Sequence, residues 1–278
     1  MLNARNIQLM VIGLFVAAAY FPTFVWLWER WTVADTYYSH GPLIPVICLG
    51  LVFIKRKVLS GLRPSPFSAG WILFGAGIAI HLVSSLWQVY FSSGFSLLLV
   101  VPGLILIFLG REFLKALAFP VCFLAFMLPL PLVIIANVSF KIKIIAAESA
   151  IFLVRLMGVA AERDGSIIRT ANAVLQVEDP CSGIRSLIAL IALGSLTAYF
   201  TKLSMGKKIV LLLSYVPIAV AANVIRIAVV TVASEVYGTG FATGKFHDVM
   251  GFFVFVFAFV GLVIVSKLLE KKWISEIF

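Results

Sequence analysis

Charge is what this sequence lacks. Only 12% of its 278 residues are charged, while 62% are hydrophobic and the mean hydropathy is +1.11. That is about half the charged share a soluble domain uses to cover its surface. A water-soluble globule is therefore excluded, and the lipid bilayer is the solvent for most of the chain. Acid is scarcer still, with 12 Asp and Glu against 22 Lys and Arg and a net charge of +10. Carboxylates are almost absent from the apolar runs, and no internal repeat is visible, so an acid-lined transport path built from inverted halves finds little support. The three cysteines cannot all pair, which excludes a disulfide scaffold. The positive charge does not read as a nucleic-acid footprint either. It sits in short clusters between apolar runs, at Lys55-Arg56-Lys57, Lys207-Lys208 and Lys271-Lys272, as in cytoplasmic loops facing anionic lipid. Membrane lipid is an expected partner and nucleic acid is not.

What is present in quantity is apolar run. Stretches near 7–28, 38–54, 69–90, 93–110, 116–136, 182–201, 209–232 and 248–266 approach the roughly 20 residues a spanning helix needs. The expected fold is an all-α membrane protein: one polytopic domain over 1–278, a bundle of about eight transmembrane helices. The second run is short. The stretch 141–160 is different, because Lys141, Glu148 and Arg155 recur every seven residues on one face beside Ile144, Ile145 and Phe152. It reads as an amphipathic helix lying in the interface, with a ninth span as the alternative. Residues 166–177, Ser-Ile-Ile-Arg-Thr and Ala-Val-Leu-Gln-Val around Asn172, read as a small β-hairpin on the outer face, resting on that helix. With the N-terminus inside, 13 Lys and Arg fall on the inner side and seven on the outer, so both termini are expected in the cytoplasm. The first run is long and has no small-residue cleavage site after it, so it is read as a retained span.

Ionisable groups inside such a chain are functional candidates, since burying one costs about 2.5–3.5 kcal/mol on insertion scales. Cys181 opens the sixth run. Arg226 lies 17 positions after Ile209, about 25 Å along a helix at 1.5 Å per residue. His247 immediately precedes the eighth run. A thiol, a guanidinium and an imidazole from three helices thus reach one level of the membrane, near its outer boundary. In Asp179-Pro180-Cys181, an N-cap residue and a first-turn proline place the thiol at a helix N-terminus, which favours thiolate. The bland alternative is a small apolar residue that happens to sit there, and Asp179 would oppose the thiolate if close. His247 suits proton transfer near neutral pH, or is an interfacial imidazole bonded to water. Arg226 shares a helical face with Asn223 and can hold an oxyanion or a substrate carbonyl, or merely snorkel. Arg185, one turn beyond Cys181, competes for the same role, and spacing does not decide between the two arginines. His40, in Tyr-Tyr-Ser-His-Gly, competes with His247. His81 reads as a hydrogen-bonded core residue at mid-span, and Cys48 and Cys122 as inert mid-span thiols.

These residues carry a resemblance. Asp-Pro-Cys181-Ser-Gly-Ile-Arg-Ser, Asn223-Val-Ile-Arg226 and Phe-His247-Asp-Val-Met-Gly resemble the Cys, Arg and His signatures of the exosortase and archaeosortase family. Tyr-Ser-His40-Gly-Pro-Leu-Ile-Pro and Met-Leu-Pro129-Leu-Pro131 are similar to that family too, so the likeness runs from about 35 to 266. The resemblance implies a bacterial inner-membrane cysteine protease or transpeptidase with its site on the outer, periplasmic side and its catalytic core at about 178–266. Its substrates would be membrane-anchored proteins bearing a C-terminal sorting signal: a Pro-Glu-Pro-type motif, a hydrophobic helix and a basic tail. By carry-over Cys181 is the nucleophile, His247 the proton-transfer residue and Arg226 the third member. No metal and no cofactor are implied. The chain ends soon after the last run, without the extra C-terminal domain of some relatives. Two rival readings are a transporter or channel, with Pro102, Pro129, Pro131 and Pro217 as helix breaks, and a non-catalytic component of envelope polysaccharide export.

Overall fold

The computed structural model describes residues 4–34, 36–177, 184–240 and 245–270, with backbone alone at 4–7, 9, 245, 247 and 248. The described chain is predominantly helical, with one small sheet, and its contacts divide it into two compact units, Met1–Pro131 and Leu132–Phe278.

In the first unit the opening apolar run is two helices, α1 (Ala4–Ala19) and α2 (Phe21–Thr32), bent by 65° at Tyr20. Pro22 explains the break: it stands in the first turn of α2, where its missing N–H costs nothing, and would cost a backbone bond inside a continuous helix. Helices α3 (Leu43–Ile54) and α4 (Arg56–Gly61) follow, then α5 (Gly70–Leu86), α6 (Tyr90–Phe108) and α7 (Arg111–Phe123). The α5–α6 hairpin is packed backbone to backbone. A Cβ on Gly77 would lie 2.7 Å from Val100 Cγ2, and one on Gly103 2.7 Å from the Phe74 nitrogen. Between helices in lipid, where there is no hydrophobic drive to associate, such close approach is a main source of attraction. A 3₁₀ turn over Leu124–Met127 then ends the α7 rod before Pro129 and Pro131.

The second unit begins with α8 (Leu132–Leu156), which leads into strands β1 (Ala161–Asp164), β2 (Ile167–Thr170) and β3 (Val174–Gln176). They form an antiparallel sheet in the order β1-β2-β3, with Arg163 opposite Ile168 and Ile168 opposite Leu175. Helices α9 (Ile184–Phe200), α10 (Met205–Tyr237) and α11 (Lys245–Glu270) complete the unit. One face of α10, through Val224, Ile227 and Ala228, shares a core with Ala146, Ala147, Ala150 and Val154 of α8 and with Ile168 of β2. Another, through Leu211, Tyr215, Ala219 and Ala222, packs with Leu187 and Leu190 of α9 and Val254, Ala258 and Leu262 of α11.

Three expectations change. Among the described residues α6, α10 and Val249–Glu270 of α11 are long and apolar enough to cross a membrane, or five spans if each bent pair, α1–α2 and α7–α8, counts once. Helices α3, α5 and α9 are apolar but only 12, 17 and 17 residues long, so a bundle of about eight full spans is not found. Apolar windows run through proline breaks and helix ends that a rod cannot. The run 116–136 is one such case, divided at Leu128–Pro131, and the helix expected over 141–160 begins earlier, at Leu132, and ends at Leu156 as α8. Its charged stripe is exposed as expected, yet Ile145 and Phe152 are exposed with it, at 56% and 64%. The buried face is instead the small-residue stripe Ala146, Ala147 and Ala150. Finally, the hairpin is a three-stranded sheet. Its extra strand, Ala-Glu-Arg-Asp, has no apolar alternation to announce it.

Candidate active site

Helix α10 is the scaffold. Its 33 residues span about 50 Å, more than the hydrocarbon thickness of about 30 Å. Asn223 and Arg226, one turn apart, are both buried in it, at 1% and 8% exposure. The Arg226 guanidinium is seated against α11 at Gly251, where a Cβ would lie 3.3 Å from one terminal nitrogen and 3.6 Å from the central carbon. Glycine at 251 therefore makes room for the arginine fork.

That contact fixes a register. Arg226 meets Gly251, and a Cβ on Gly261 would meet Ile218 at 3.2 Å, so α10 and α11 run antiparallel with residue numbers summing to about 478. By that sum position 247 falls opposite Thr231, little more than one turn from Arg226, and stands one helical turn before Gly251. The structure thus places the Arg226 side chain against Gly251, four residues after position 247 in α11. The His247 side chain and the whole of 178–183, including Cys181, lie outside the described residues. Arg185 stands in the first turn of α9, half-buried, four residues after position 181 and on the helix that packs with α10 and α11.

His40 belongs to the first unit. There the Tyr-Ser-His-Gly-Pro segment meets the Met-Leu-Pro-Leu-Pro break: Trp31 Nε1 donates to the Met127 carbonyl at 2.8 Å and the Leu130 N–H donates to Tyr38 Oη at 3.0 Å. Both His40 ring nitrogens are shut from solvent, and burial lowers its pKa, partly offset by the Phe126 backbone. His81 is a core histidine as expected. Its Nδ1 hydrogen-bonds Ser93 Oγ at 2.8 Å and its ring stacks on Tyr20 at 3.9 Å. Cys48 is buried with its thiol donating to the Pro120 carbonyl at 3.2 Å, whereas Cys122 is exposed.

Two features escaped the sequence reading. Gly251 was visible only as the end of Phe-His-Asp-Val-Met-Gly, four residues after His247. The other is a clasp above Arg226: Glu235, in the last turns of α10, accepts from the Asn172 backbone N–H and from Asn172 Nδ2, each at 2.9 Å. It holds the β2–β3 turn by both oxygens. No local pattern links positions 63 residues apart.

Compared with known proteins, the chain matches the transmembrane exosortase family (Exosortase_EpsH) over residues 26–264. The match covers most of the chain, which therefore belongs to that family of membrane proteins. No curated protein and no solved structure matches it.

Proposed function

We propose that this chain is a membrane cysteine peptidase or transpeptidase that removes C-terminal sorting signals from anchored proteins. Cys181 is the nucleophile, His247 the proton carrier and Arg226 the oxyanion or carbonyl holder. The observation that carries the reading is the Arg226 guanidinium buried against Gly251, one turn from position 247 on the same face of α11. A buried arginine stays charged and offers a rigid fork of donors. It is suited to hold the negative charge that develops when a thiolate attacks a carbonyl.

In this mechanism the Cys181 thiolate adds to the scissile carbonyl. Collapse breaks the C–N bond, the leaving amine takes a proton from His247, and a thioester remains on Cys181. An incoming amine or water, deprotonated by His247, attacks the thioester and restores the thiolate. An amine gives transpeptidation and water gives hydrolysis.

Helical rise supports the placement. Counted from Ile209, just past Lys207-Lys208, about 30 Å of hydrocarbon ends near residue 229, beside Arg226. Counted back from Lys267, the same length ends at 247. Both groups thus reach one boundary, opposite the basic clusters. Since basic clusters mark the cytoplasmic side, the reading puts the site at the periplasmic face of an inner membrane with both termini inside. A substrate whose basic tail stays inside presents its cleavage motif there.

The test is processing of a reporter protein ending in a Pro-Glu-Pro-type motif, a hydrophobic helix and a basic tail, followed by mass spectrometry of its new C-terminus. Cys181→Ala and Cys181→Ser should both abolish processing while the protein still accumulates, and Cys48→Ala should not. Processing by Cys181→Ala at the wild-type rate ends the cysteine reading.

A further inference from the structure

The two edges of the small sheet are unlike. The β1 edge is guarded: Arg155 Nε donates to the Ala161 carbonyl at 2.9 Å, Arg163 Nη1 to the Gly165 carbonyl at 3.0 Å, and the strand itself is Ala-Glu-Arg-Asp. Charges and covering side chains are how proteins keep a sheet edge from pairing further. The β3 edge, Val-Leu-Gln, has neither charge nor proline. Its register is fixed by hydrogen bonds from the Thr170 N–H to the Ala173 carbonyl and from the Val177 N–H to the Ser166 carbonyl. In an antiparallel pair such narrow pairs alternate, so Ala173, Leu175 and Val177 face β2 and the backbone groups of Val174 and Gln176 point away from it. Among the described residues β3 has no neighbour on that side.

The edge is also held rigid. Leu175 and Val177 are buried, Ile168 opposite Leu175 is fully buried in the α8–α10 core, and the turn that starts β3 is clasped by Glu235. Cys181 follows Gln176 by five residues in the sequence, at most about 18 Å of extended chain. Outward-facing backbone donors and acceptors in strand geometry have one natural complement, another extended backbone.

We infer that the free edge of β3 is the docking strand for the substrate, whose extended segment outside the membrane adds to the sheet beside Val174 and Gln176 and is thereby led to Cys181. This rests on the proposed peptidase function and adds to it the means of recognition: main-chain pairing, with side-chain selection left to neighbouring groups. Two outward residues provide only a few hydrogen bonds, too few to hold a free peptide. They suffice for a substrate anchored in the same bilayer, whose effective concentration is already high.

The test uses the full chain and a reporter that the wild-type chain cleaves, reconstituted together in liposomes. Gln176→Pro removes one outward N–H without touching the β2–β3 ladder. It should raise the KM for the reporter about two- to tenfold, the equivalent of one hydrogen bond. Alkylation of Cys181 by a small thiol reagent should stay unchanged, and Gln176→Ala, which keeps the N–H, should raise the KM less than the proline does. Val174→Pro should repeat the effect. In a Cys181→Ala background, a photo-cross-linking residue at 174 should capture the uncleaved reporter and one at 163 should not. An unchanged KM in both proline variants, an equal loss in Gln176→Ala, or capture of a second copy of this chain in place of the reporter overturns the docking strand. Failure of the cysteine reading shows separately, as cleavage by Cys181→Ala.

Discussion

Gly251 offers a way to move Arg226 without touching its charge. A methyl there would sit 3.3 Å from a guanidinium nitrogen, inside the 3.5–4.0 Å of comfortable contact. In Gly251→Ala the fork therefore yields by a few tenths of an ångström, and a several-fold loss of turnover is expected. Gly251→Val adds two γ-carbons about 1.5 Å further out and drives the guanidinium more than an ångström from its seat. A misplacement of that size costs about 10²-fold in rate. Stability should move the other way for the first variant, since alanine is favoured over glycine within a helix by about 0.5–1 kcal/mol. The informative outcome is a protein that is as stable as wild type, or more so, and cleaves less. The measurements are reporter cleavage in membranes at matched protein levels and thermal unfolding in detergent. Wild-type turnover in Gly251→Val would mean that the Arg226–Gly251 contact is only packing, and the oxyanion role of Arg226 would fall with it.

Arg226→Lys should lose roughly 10²–10³ in rate, since lysine keeps the charge but not the planar fork. Arg185→Lys should be milder, and the reverse order, read from cleavage rates, would exchange the roles of the two arginines. Glu235→Ala should free the β2–β3 turn, seen as faster amide exchange at 170–174 and a higher KM with little change in unfolding temperature. Because burial lowers the His40 pKa, the folded first unit takes up fewer protons than the unfolded chain. Its contribution to stability should be present at pH 8 and shrink as pH falls through about 6.5, the unfolded value. Unfolding temperatures at pH 8 and 5.5 should differ less in His40→Gln than in wild type.

The sequence was most legible where one physical rule acted alone. The runs 209–232 and 248–266 lie inside α10 and α11 because nothing in them breaks a helix except Pro217, which α10 absorbs. Strands β2 and β3 follow from alternation around Asn172. Legibility failed where a hydropathy window averaged over a break, as at Tyr20-Phe21-Pro22 and Leu128–Pro131, or where a strand was charged throughout, as at Ala161–Asp164. Asn223 and Arg226 stood out because polar residues are costly in an apolar helix. Gly251 did not, because its meaning comes from the α10–α11 register, which no local pattern encodes. The position of Cys181 relative to the pair lies outside the described residues, so its assignment rests on Asp-Pro-Cys-Ser-Gly and family membership.

Buried polar groups alone do not mark function in this chain, and the first unit shows why. Tyr20 Oη hydrogen-bonds Ser96 Oγ at 2.6 Å and Thr23 Oγ1 hydrogen-bonds Ser93 Oγ at 2.7 Å, while the same Ser93 oxygen also meets His81. All five residues are nearly or wholly shielded from solvent. A hydroxyl has one proton and two lone pairs, so Ser93 is well occupied by Thr23 and His81, with Ser96 adding a bond back to the Ser93 carbonyl at 2.7 Å. Such a cluster joins α1–α2 to α5 and α6, and its satisfaction within itself is what a structural network in lipid requires. This weakens the transport reading, which would need these groups to exchange partners with a passing ion. Arg226 differs in kind. It carries a permanent charge, and Gly251 of α11, which has no side chain, leaves room for it. A fold that only needed to hold α10 against α11 would do so with alanine and valine, as it does at Ala219, Ala222, Val254 and Ala258. A guanidinium seated in this way is suited to the oxyanion that the proposed acyl transfer would develop.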